Sequence, residues 1–366
     1  MTKEIVIAAV GDLLMKPLLL RSIRTGGQAG GSDQQGETGY AFGQLFEPVA
    51  RYLRDAHLTI GNLETTFAGG READFTRTKR NPKNRNPVFK SPDALAPALA
   101  AAGFDVVTTA NNHCADYGVR GLRRTLDVLD KHGLGHAGTY RNAQESRALC
   151  VRNVEGIRIG ILSYTRDTNG MAVPKNQPAG VHKLARARIR SDMKRLRAAA
   201  DFIIVCMHCG FEYDHSPALH QKRWVRFLFR HGADAVLGAH PHVLQPAVMR
   251  TVKDVAGRTR KRFSIYSLGN LVSTRLHGKD AALTGMIVRL KLRKSGGRVR
   301  LAGVEGIPTW VSLAKRGKAG ACRILPLHEA VGKLSEYPAE QAARMRRAYQ
   351  GTRRMYGGVL PLPNDE

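Results

Sequence analysis

The stretch Ala233-Asp234-Ala235-Val236-Leu237-Gly238-Ala239-His240-Pro241-His242 joins a short apolar run to two histidines one residue apart. The run reads as a buried strand, and a His-x-His pair at its end is a typical grip for a metal ion. Working outward, four further strand-like runs end in residues of the same kind: Gly11-Asp12, Gly61-Asn62-Leu63-Glu64, Asn111-Asn112-His113 and Met207-His208. One His pair alone says little. Several strand ends offering only Asp, Glu, Asn and His define a site, because ligands gather at the carboxyl ends of strands in open α/β sheets.

Short apolar runs alternate with amphipathic stretches along the chain. Strands are predicted at 4–10, 57–61, 104–109, 147–151, 157–163, 202–207, 234–238, 262–267, 282–293 and 299–306. Helices are predicted at 43–55, 93–102, 119–132, 185–199, 217–231 and 337–350, with Pro92 as a start signal and Gly133 as a stop signal. In 217–231 the expected apolar face is Leu219, Trp224, Phe227 and Leu228. The early alternation indicates α/β layers, and the crowding of strands after 246 indicates antiparallel pairing. The expected organisation is one α/β domain over residues 1–310 and a helical appendage over 311–366. Loops at 25–39 and 68–92 border the site motifs and read equally as shapers of substrate entry or as mobile surface.

Of the 366 residues, 43% are hydrophobic, enough for a proper core. No apolar run approaches the ~20 residues needed to span a bilayer. Residues 1–10 read as a first strand and lack the small-residue cleavage site of a signal peptide. The expected location is cytoplasmic, or peripheral on the inner membrane face. Five cysteines, at 114, 150, 206, 209 and 322, are too scattered for a disulfide framework. Cys206-Met207-His208-Cys209 has no second C-x-x-C to complete a zinc knuckle, so the cysteines read as small apolar flanks of His208.

Net charge is +28 and the pI is about 10.5. The basic residues cluster in 77–90, 183–197, 250–262, 289–300 and 344–354. Such a surface attracts polyanions, namely nucleic acid, an anionic membrane surface or an acidic polymer or peptide, or else is simply a solvated basic face. Nucleic acid is disfavoured, because few aromatics are interleaved with the basic runs to stack on bases.

The candidate ligands have the chemistry of a metal pair. Two divalent ions about 3.5–4 Å apart clamp the attacking and leaving oxygens of a displacement. Asp12 would bind one ion, Glu64 would bridge, Asn112 would lend a carbonyl oxygen, and His208, His240 and His242 would lend imidazoles. Mixed nitrogen and oxygen ligation suits one or two transition ions (Mn, Zn, Fe or Co) better than Ca or Mg. His113 points differently from Asn112 and is placed as a general acid, with Asp116 three residues on to orient it. Asn62, Asn111, Glu212 and Asn270 are candidates to line the substrate, with Tyr213 beside Glu212. Each has a plainer reading: Asp12 as a turn or helix cap, Asn111-Asn112 as a turn pair. His215, His220, His231, His277 and His328 read as surface or core histidines.

Taken in order, Gly11-Asp12, Gly61-Asn62-Leu63-Glu64, Asn111 to Gly118, His208 to Tyr213, Gly238 to His242 and Tyr266 to Asn270 resemble the CapA family. That family is tied to capsule and poly-γ-glutamate synthesis, and its core is similar to calcineurin-like metallophosphoesterases. The resemblance covers roughly residues 4–310. It implies a four-layer α/β/β/α sandwich, metal ligation by Asp12, Glu64, Asn112, His208, His240 and His242, and His113 as the acid. Two positions depart from the phosphoesterase pattern. Leu14 stands where those enzymes usually carry a His, and Glu64, in Gly-Asn-Leu-Glu, replaces the usual Asp of a Gly-Asp pair. One metal position thus lacks a nitrogen ligand.

Four functions follow as expectations. The first is a CapA-like metal-dependent hydrolase or transferase acting on an acidic polymer or peptide in capsule biosynthesis. The others are a metallophosphoesterase acting on a phosphate ester, a metal-dependent peptide epimerase, and a non-catalytic polyanion-binding subunit of a capsule-synthesis complex.

Overall fold

Burial with a period of two sorts the strand side chains onto opposite faces, and this sets the layers. Ile5, Ile7 and Ala9 face one way from the first strand, while Ala8 and Val10 face the other. The computed structural model describes residues 2–25, 39–171, 173, 178–274, 276–313 and 322–363. Apart from two-residue ladders in loops and single 3-10 turns, the elements run β1 (Lys3–Leu13), α1 (Pro17–Ser22), α2 (Phe42–Arg54), β2 (Leu58–Asn62), α3 (Leu95–Ala102), β3 (Val106–Thr108), α4 (Gly118–Lys131), β4 (Gly135–Ala137), β5 (Cys150–Val154), β6 (Ile157–Thr165), α5 (Arg186–Ala199), β7 (Phe202–His208), α6 (Leu219–Arg230), β8 (Ala235–Ala239), β9 (Leu244–Lys253), β10 (Thr259–Leu268), β11 (Asn270–Val272), β12 (Thr284–Ser295), β13 (Arg298–Ser312), β14 (Arg323–Pro326), α7 (Leu327–Val331) and α8 (Ala339–Tyr356).

Two sheets result. The first has the order β14-β13-β12-β1-β2-β3-β4, with β11 paired to the end of β1; the second has the order β5-β6-β7-β8-β10-β9. Strands β1 to β4 are mutually parallel, as are β6, β7, β8 and β10. The antiparallel pairs expected after 246 are β9 with β10 and β12 with β13. Ile5, Ile7, Leu58, Ile60 and Val106 of the first sheet meet Ile159, Ile161, Phe202, Ile204, Leu237 and Ile265 of the second in a shared apolar core. The outer face of the first sheet is covered by α2, α3 and α4 through Leu45, Phe46, Leu99, Leu122 and Leu126. The outer face of the second is covered by α5 and α6 through Ile189, Met193, Leu196, Val225 and Leu228. The molecule is a four-layer α/β/β/α sandwich.

Three expectations change. The strand placed at 147–151 lies at Cys150–Val154, because 145–147 forms a 3-10 turn. In α6, Leu219 is exposed and the buried face is Gln221, Val225, Leu228 and Phe229. The amide of Gln221 earns its inward place: its oxygen accepts the Ala218 N–H at 2.8 Å and its nitrogen donates to Gln245 at 2.9 Å. At the end of the chain, the first sheet runs past residue 310 to Ser312 and adds β14 as an edge strand. The segment 311–366 is helical in α7 and α8, but it also enters the core. Tyr356, Leu360 and Leu362 lie between the sheets, and the Tyr356 hydroxyl donates to the Gln245 carbonyl at 2.8 Å. Apolar side chains of this size gain most when removed from water, which pulls the segment inward.

Residues 26–38 of the first predicted loop lie outside the described residues; Arg24–Thr25 and Gly39–Tyr40 pair on either side of them. The second predicted loop carries a short ladder, Lys79–Arg80 against Pro87–Val88. No cysteine is disulfide-bonded, and no helix among the described residues is long and apolar enough to cross a membrane.

Because Leu360 is fully buried between the sheets, Leu360→Ala is expected to cost about 2–5 kcal/mol of stability. Urea unfolding checks this; a loss under about 0.5 kcal/mol, the range of surface substitutions, would show that the C-terminal segment contributes nothing to the core.

Candidate metal centre

Parallel strands bring their carboxyl ends to one level. Asp12 stands in register with Asn62 and Asn270, and His208 with Thr165 and Ala239. Close approach of β8 and β10 requires a glycine: a Cβ on Gly238 would stand 1.8 Å from the Tyr266 carbonyl oxygen. The chain then turns sharply. His240 and His242 both have left-handed backbones, with φ of 98° and 59°. For residues other than glycine this costs about 1–3 kcal/mol each and persists only where surroundings enforce it. Here the His240 N–H donates to Asp12 Oδ2 at 3.3 Å, the Pro241 carbonyl accepts the Tyr213 N–H at 2.8 Å, and Asn270 Nδ2 donates to the His242 carbonyl at 3.1 Å.

The turn aims both imidazoles at a cluster. His208 Nε2 lies 2.7 Å from Asn112 Oδ1, 3.2 Å from His240 Nδ1 and 3.4 Å from Glu64 Oε1. His242 Nδ1 lies 3.1 Å from Asp12 Oδ2 and 3.7 Å from Glu64 Oε2. Two groups of ligand atoms therefore converge, Glu64–His208–His240 and Asp12–Glu64–His242. Glu64 belongs to both and turns one oxygen toward each. Both its oxygens are buried and have no hydrogen-bond partner. A buried carboxylate with no donor is costly unless a cation or proton satisfies it. The donor set fits a divalent metal ion.

Electrostatics express the same crowding. Burial pushes Glu64 well above the usual carboxylate range, and the charge of Asp12 adds to it. Burial also works against the Asp12 carboxylate, but the hydrogen bond and charge of His242 outweigh it and hold Asp12 at about 2. For His242 burial disfavours the cation, yet the charge of Glu64 and the bond to Asp12 raise it to about 9. Burial lowers His208 to about 4 and His240 to about 3, leaving both neutral imidazoles suited to ligation.

His113 stands beside the cluster, with Nδ1 2.8 Å from Asp116 Oδ2. The same Asp116 oxygen accepts the Phe89 N–H at 2.7 Å, which fixes the carboxylate. Burial opposes protonation of His113, but the charge and hydrogen bond of Asp116 prevail and raise its pKa. The Phe89 ring packs on the imidazole at 4.6 Å between centroids.

A cleft of about 470 Å³ opens in front of these groups, lined among others by His113, His242, Lys16, Arg80, Glu212 and Tyr213. Of the four residues expected to line substrate, Glu212 borders this cleft and Asn62, Asn111 and Asn270 do not. Asn62 donates to Asp12 Oδ1 at 2.7 Å and receives Thr108 Oγ1 at 3.1 Å. Asn111 donates to the Leu63 carbonyl at 2.8 Å and accepts the His113 N–H at 3.1 Å. Asn270 is held by His242 and the Ala282 carbonyl. These three asparagines are spent on positioning the loops that carry the ligands.

The structure adds residues that sequence patterns did not mark. Lys16 reaches the cleft from the turn before α1, over the Phe89 ring at 5.8 Å. Asn169 Oδ1 receives Asn112 Nδ2 at 3.2 Å, from a loop after β6 whose Asp167-Thr168-Asn169-Gly170 run is the same strand-end signal found elsewhere. His277, read as a surface or core histidine, lines the cleft mouth.

Fold and site together define a four-layer α/β protein with an acidic and histidine-rich cluster at its strand ends. The chain matches the family described as "Bacterial capsule synthesis protein PGA_cap" over residues 6–275, and it belongs to that family. It is 28% identical over 263 residues to the capsule biosynthesis protein CapA of Bacillus anthracis, covering 70% of this chain and 60% of that one. It is 31% identical over 269 residues to the PGA biosynthesis protein CapA of Bacillus subtilis (strain 168), covering 71% and 64%. The matched region thus spans less than two thirds of these relatives' own lengths. Among solved structures it is similar to the calcineurin-like phosphoesterase YfkN from Bacillus subtilis, with TM-score 0.49, 13% identity and coverage of 95% of this chain and 100% of that one. It is also similar to a putative 5'-nucleotidase from Staphylococcus aureus, with TM-score 0.49, 15% identity and coverage of 95% and 58%.

Elemental analysis tests the cluster. His240→Ala and Glu64→Ala are expected to lose bound transition metal while keeping the wild-type circular dichroism. Glu64→Gln separates metal binding from packing. Without metal it should melt no lower than wild type, because a buried carboxyl without partners is removed. With metal at about 100 times the dissociation constant, it should forgo about 2.7 kcal/mol of ligand stabilisation. Equal destabilisation in both conditions would make Glu64 a purely structural residue.

Proposed function

We propose that this protein is a metal-dependent hydrolase or transferase of capsule biosynthesis that acts on an acidic polymer or peptide. The observation that carries the reading is Glu64, fully buried, unpartnered at both oxygens and shared by two ligand groups. Asp12, Glu64, His208, His240 and His242 would hold one or two divalent ions, with Asn112 Oδ1 beside His208. Three imidazoles with two carboxylates favour Mn, Zn, Fe or Co over Ca or Mg. A divalent ion held there supplies Lewis acidity at the floor of the cleft.

The remaining work belongs to the chain. Asp116 accepts the Nδ1 proton of His113, so the opposite ring nitrogen holds its proton for delivery to a leaving group. Lys16, Arg21 and Arg80 give the cleft a positive wall, against one carboxylate, Glu212. That wall suits a substrate with negative charge next to the reacting bond. The names of the relatives, a capsule and a PGA biosynthesis protein, support a substrate among capsule components. A location in the cytoplasm or at the inner membrane face belongs to the same proposal, supported by the net charge of +28, which draws the protein to anionic surfaces. A phosphate ester is the second reading, favoured by the sharing of Glu64 between two ligand groups, an arrangement suited to an in-line displacement.

Metal-loaded protein should be offered a γ-linked glutamyl oligomer, a phosphate monoester and a phosphate diester. Turnover of the oligomer is expected, with His113→Ala retaining metal and losing about 10²–10⁴-fold in kcat. Lys16→Gln should raise KM and leave metal content unchanged. Turnover of phosphate esters alone transfers the assignment to the second reading, no turnover by the loaded wild type rejects an enzyme acting on these classes, and metal loss in His113→Ala would falsify its role as the acid.

A further inference from the structure

Three of the five basic runs of the sequence meet at the end of the sandwich opposite the metal centre. The metal ligands lie at the carboxyl ends of the parallel strands. Phe202 and Asp234 lie at or just before the amino ends of β7 and β8. Phe202 and His208 are the first and last residues of β7, six steps and so roughly 20 Å apart at about 3.3 Å per residue. At that far end a groove of about 690 Å³ is lined by Phe202, Asp234, Ser295 and the start of β13, with Arg258, Arg260, Lys261, Arg298 and Arg300 as its cations. The 250–262 run delivers the first three cations, the 289–300 run delivers the last two, and Arg197 from the 183–197 run sits behind Asp234 at 3.4 Å.

The carboxylates at this end are already neutralised. Asp234 is ringed by Arg197, Arg260 and Arg262 at 3.4, 3.6 and 3.5 Å. Asp254 is held by Arg258 at 3.2 Å and by the fully buried Arg262 at 2.9 Å. Elsewhere along this edge, surface cations are spent on acids: Lys3 on Glu155, Arg158 on Asp201 and Arg293 on Glu4. Lys261, Arg298 and Arg300, by contrast, are exposed and make no ion pair or side-chain hydrogen bond among the described residues. All three line the one concave surface, from the starts of β10 and β13. The only aromatic in the lining, Phe202, is buried, so the groove has no platform on which a nucleic-acid base could stack.

We infer that this groove is a second binding site, independent of the metal centre, for a carboxylate-rich polymer chain. Uncompensated cations from two hairpins, lining one concave channel, match a flexible chain carrying a negative charge on every unit. A flat bilayer cannot enter such a concavity, and an isolated small anion would engage only part of it. The site does not rest on the metal-dependent reading, since none of its residues adjoins the ligand cluster.

The test is binding of a fluorescent polyglutamate of about twenty residues to the full chain at roughly 0.15 M salt, where nonspecific surface attraction is screened. A chelator is present throughout, so the metal centre contributes nothing. The wild type is compared with the triple variant Lys261→Glu, Arg298→Glu and Arg300→Glu, and with a control of equal charge change at exposed positions elsewhere, Lys131→Glu, Arg346→Glu and Arg347→Glu. The expected result is a loss of about tenfold or more in the groove variant and less than about threefold in the control, both with wild-type metal uptake when the chelator is omitted. Equal losses in the two variants would show attraction by net charge alone and overturn the site. No binding by the wild type would overturn it as well. Single-stranded DNA or anionic vesicles binding the groove more tightly than polyglutamate would overturn the assigned occupant.

Discussion

Two carboxylates buried side by side, Asp12 and Glu64, are the constraint on which the rest of the structure turns. In water they would repel weakly; in the interior each must find compensating positive charge or give up its own. Every nearby feature serves that requirement. Parallel strands from both sheets end at one height, so that imidazoles from β7 and the β8 turn reach carboxylates from β1 and the loop after β2. Gly238 lets two of those strands close to backbone contact, and the left-handed histidines hold their rings inward at the expense of local comfort. The apolar layers above and below keep water from screening the cluster.

Much of this was legible in the sequence because its grammar is local. Asp12, Glu64, Asn112, His208, His240 and His242 each follow an apolar run within a few residues, and a strand that ends in a candidate ligand leaves that trace without any knowledge of the fold. Layer order was legible for a similar reason, since strand–helix alternation reports on crossovers. What stayed hidden depends on distance in sequence. Lys16 reaches the cleft only because β1 ends and α1 turns away beside Phe89, a neighbour more than seventy positions later. Asn111 and Asn270 look like polar residues awaiting substrate, but their amides are consumed by carbonyls that no pattern announces. In α6 the inward place of Gln221 is set by Gln245 on another element, and hydrophobicity alone puts Leu219 there instead. In the C-terminal segment, helical in α7 and α8 as its pattern suggests, nothing local announces that Tyr356, Leu360 and Leu362 pack into the core between the sheets.

The two ends of the sandwich have opposite electrostatic characters. One concentrates acids and imidazoles in a buried cluster behind a cationic wall. The other gathers arginines and one lysine around acids that are already spoken for. Both arise from the same sheet geometry, since parallel strands collect all their starts at one edge and all their ends at the other.

The position of β1 has a consequence for how the chain is made. This first strand lies between β2, which follows within some fifty residues, and β12, whose pairing of Lys3 to Ala9 with Val288 to Lys294 closes a loop spanning most of the polypeptide. A ribosome adding about 5–20 residues per second needs roughly 15–60 s before that partner exists. Through that interval one edge of the central strand of the first sheet has no ladder, and the second sheet against which its apolar face closes is added only piece by piece. Pairings of such long sequence separation form slowly even in a finished chain. The nascent protein therefore carries an open, sticky edge for most of its synthesis, the condition from which chaperones protect a growing polypeptide.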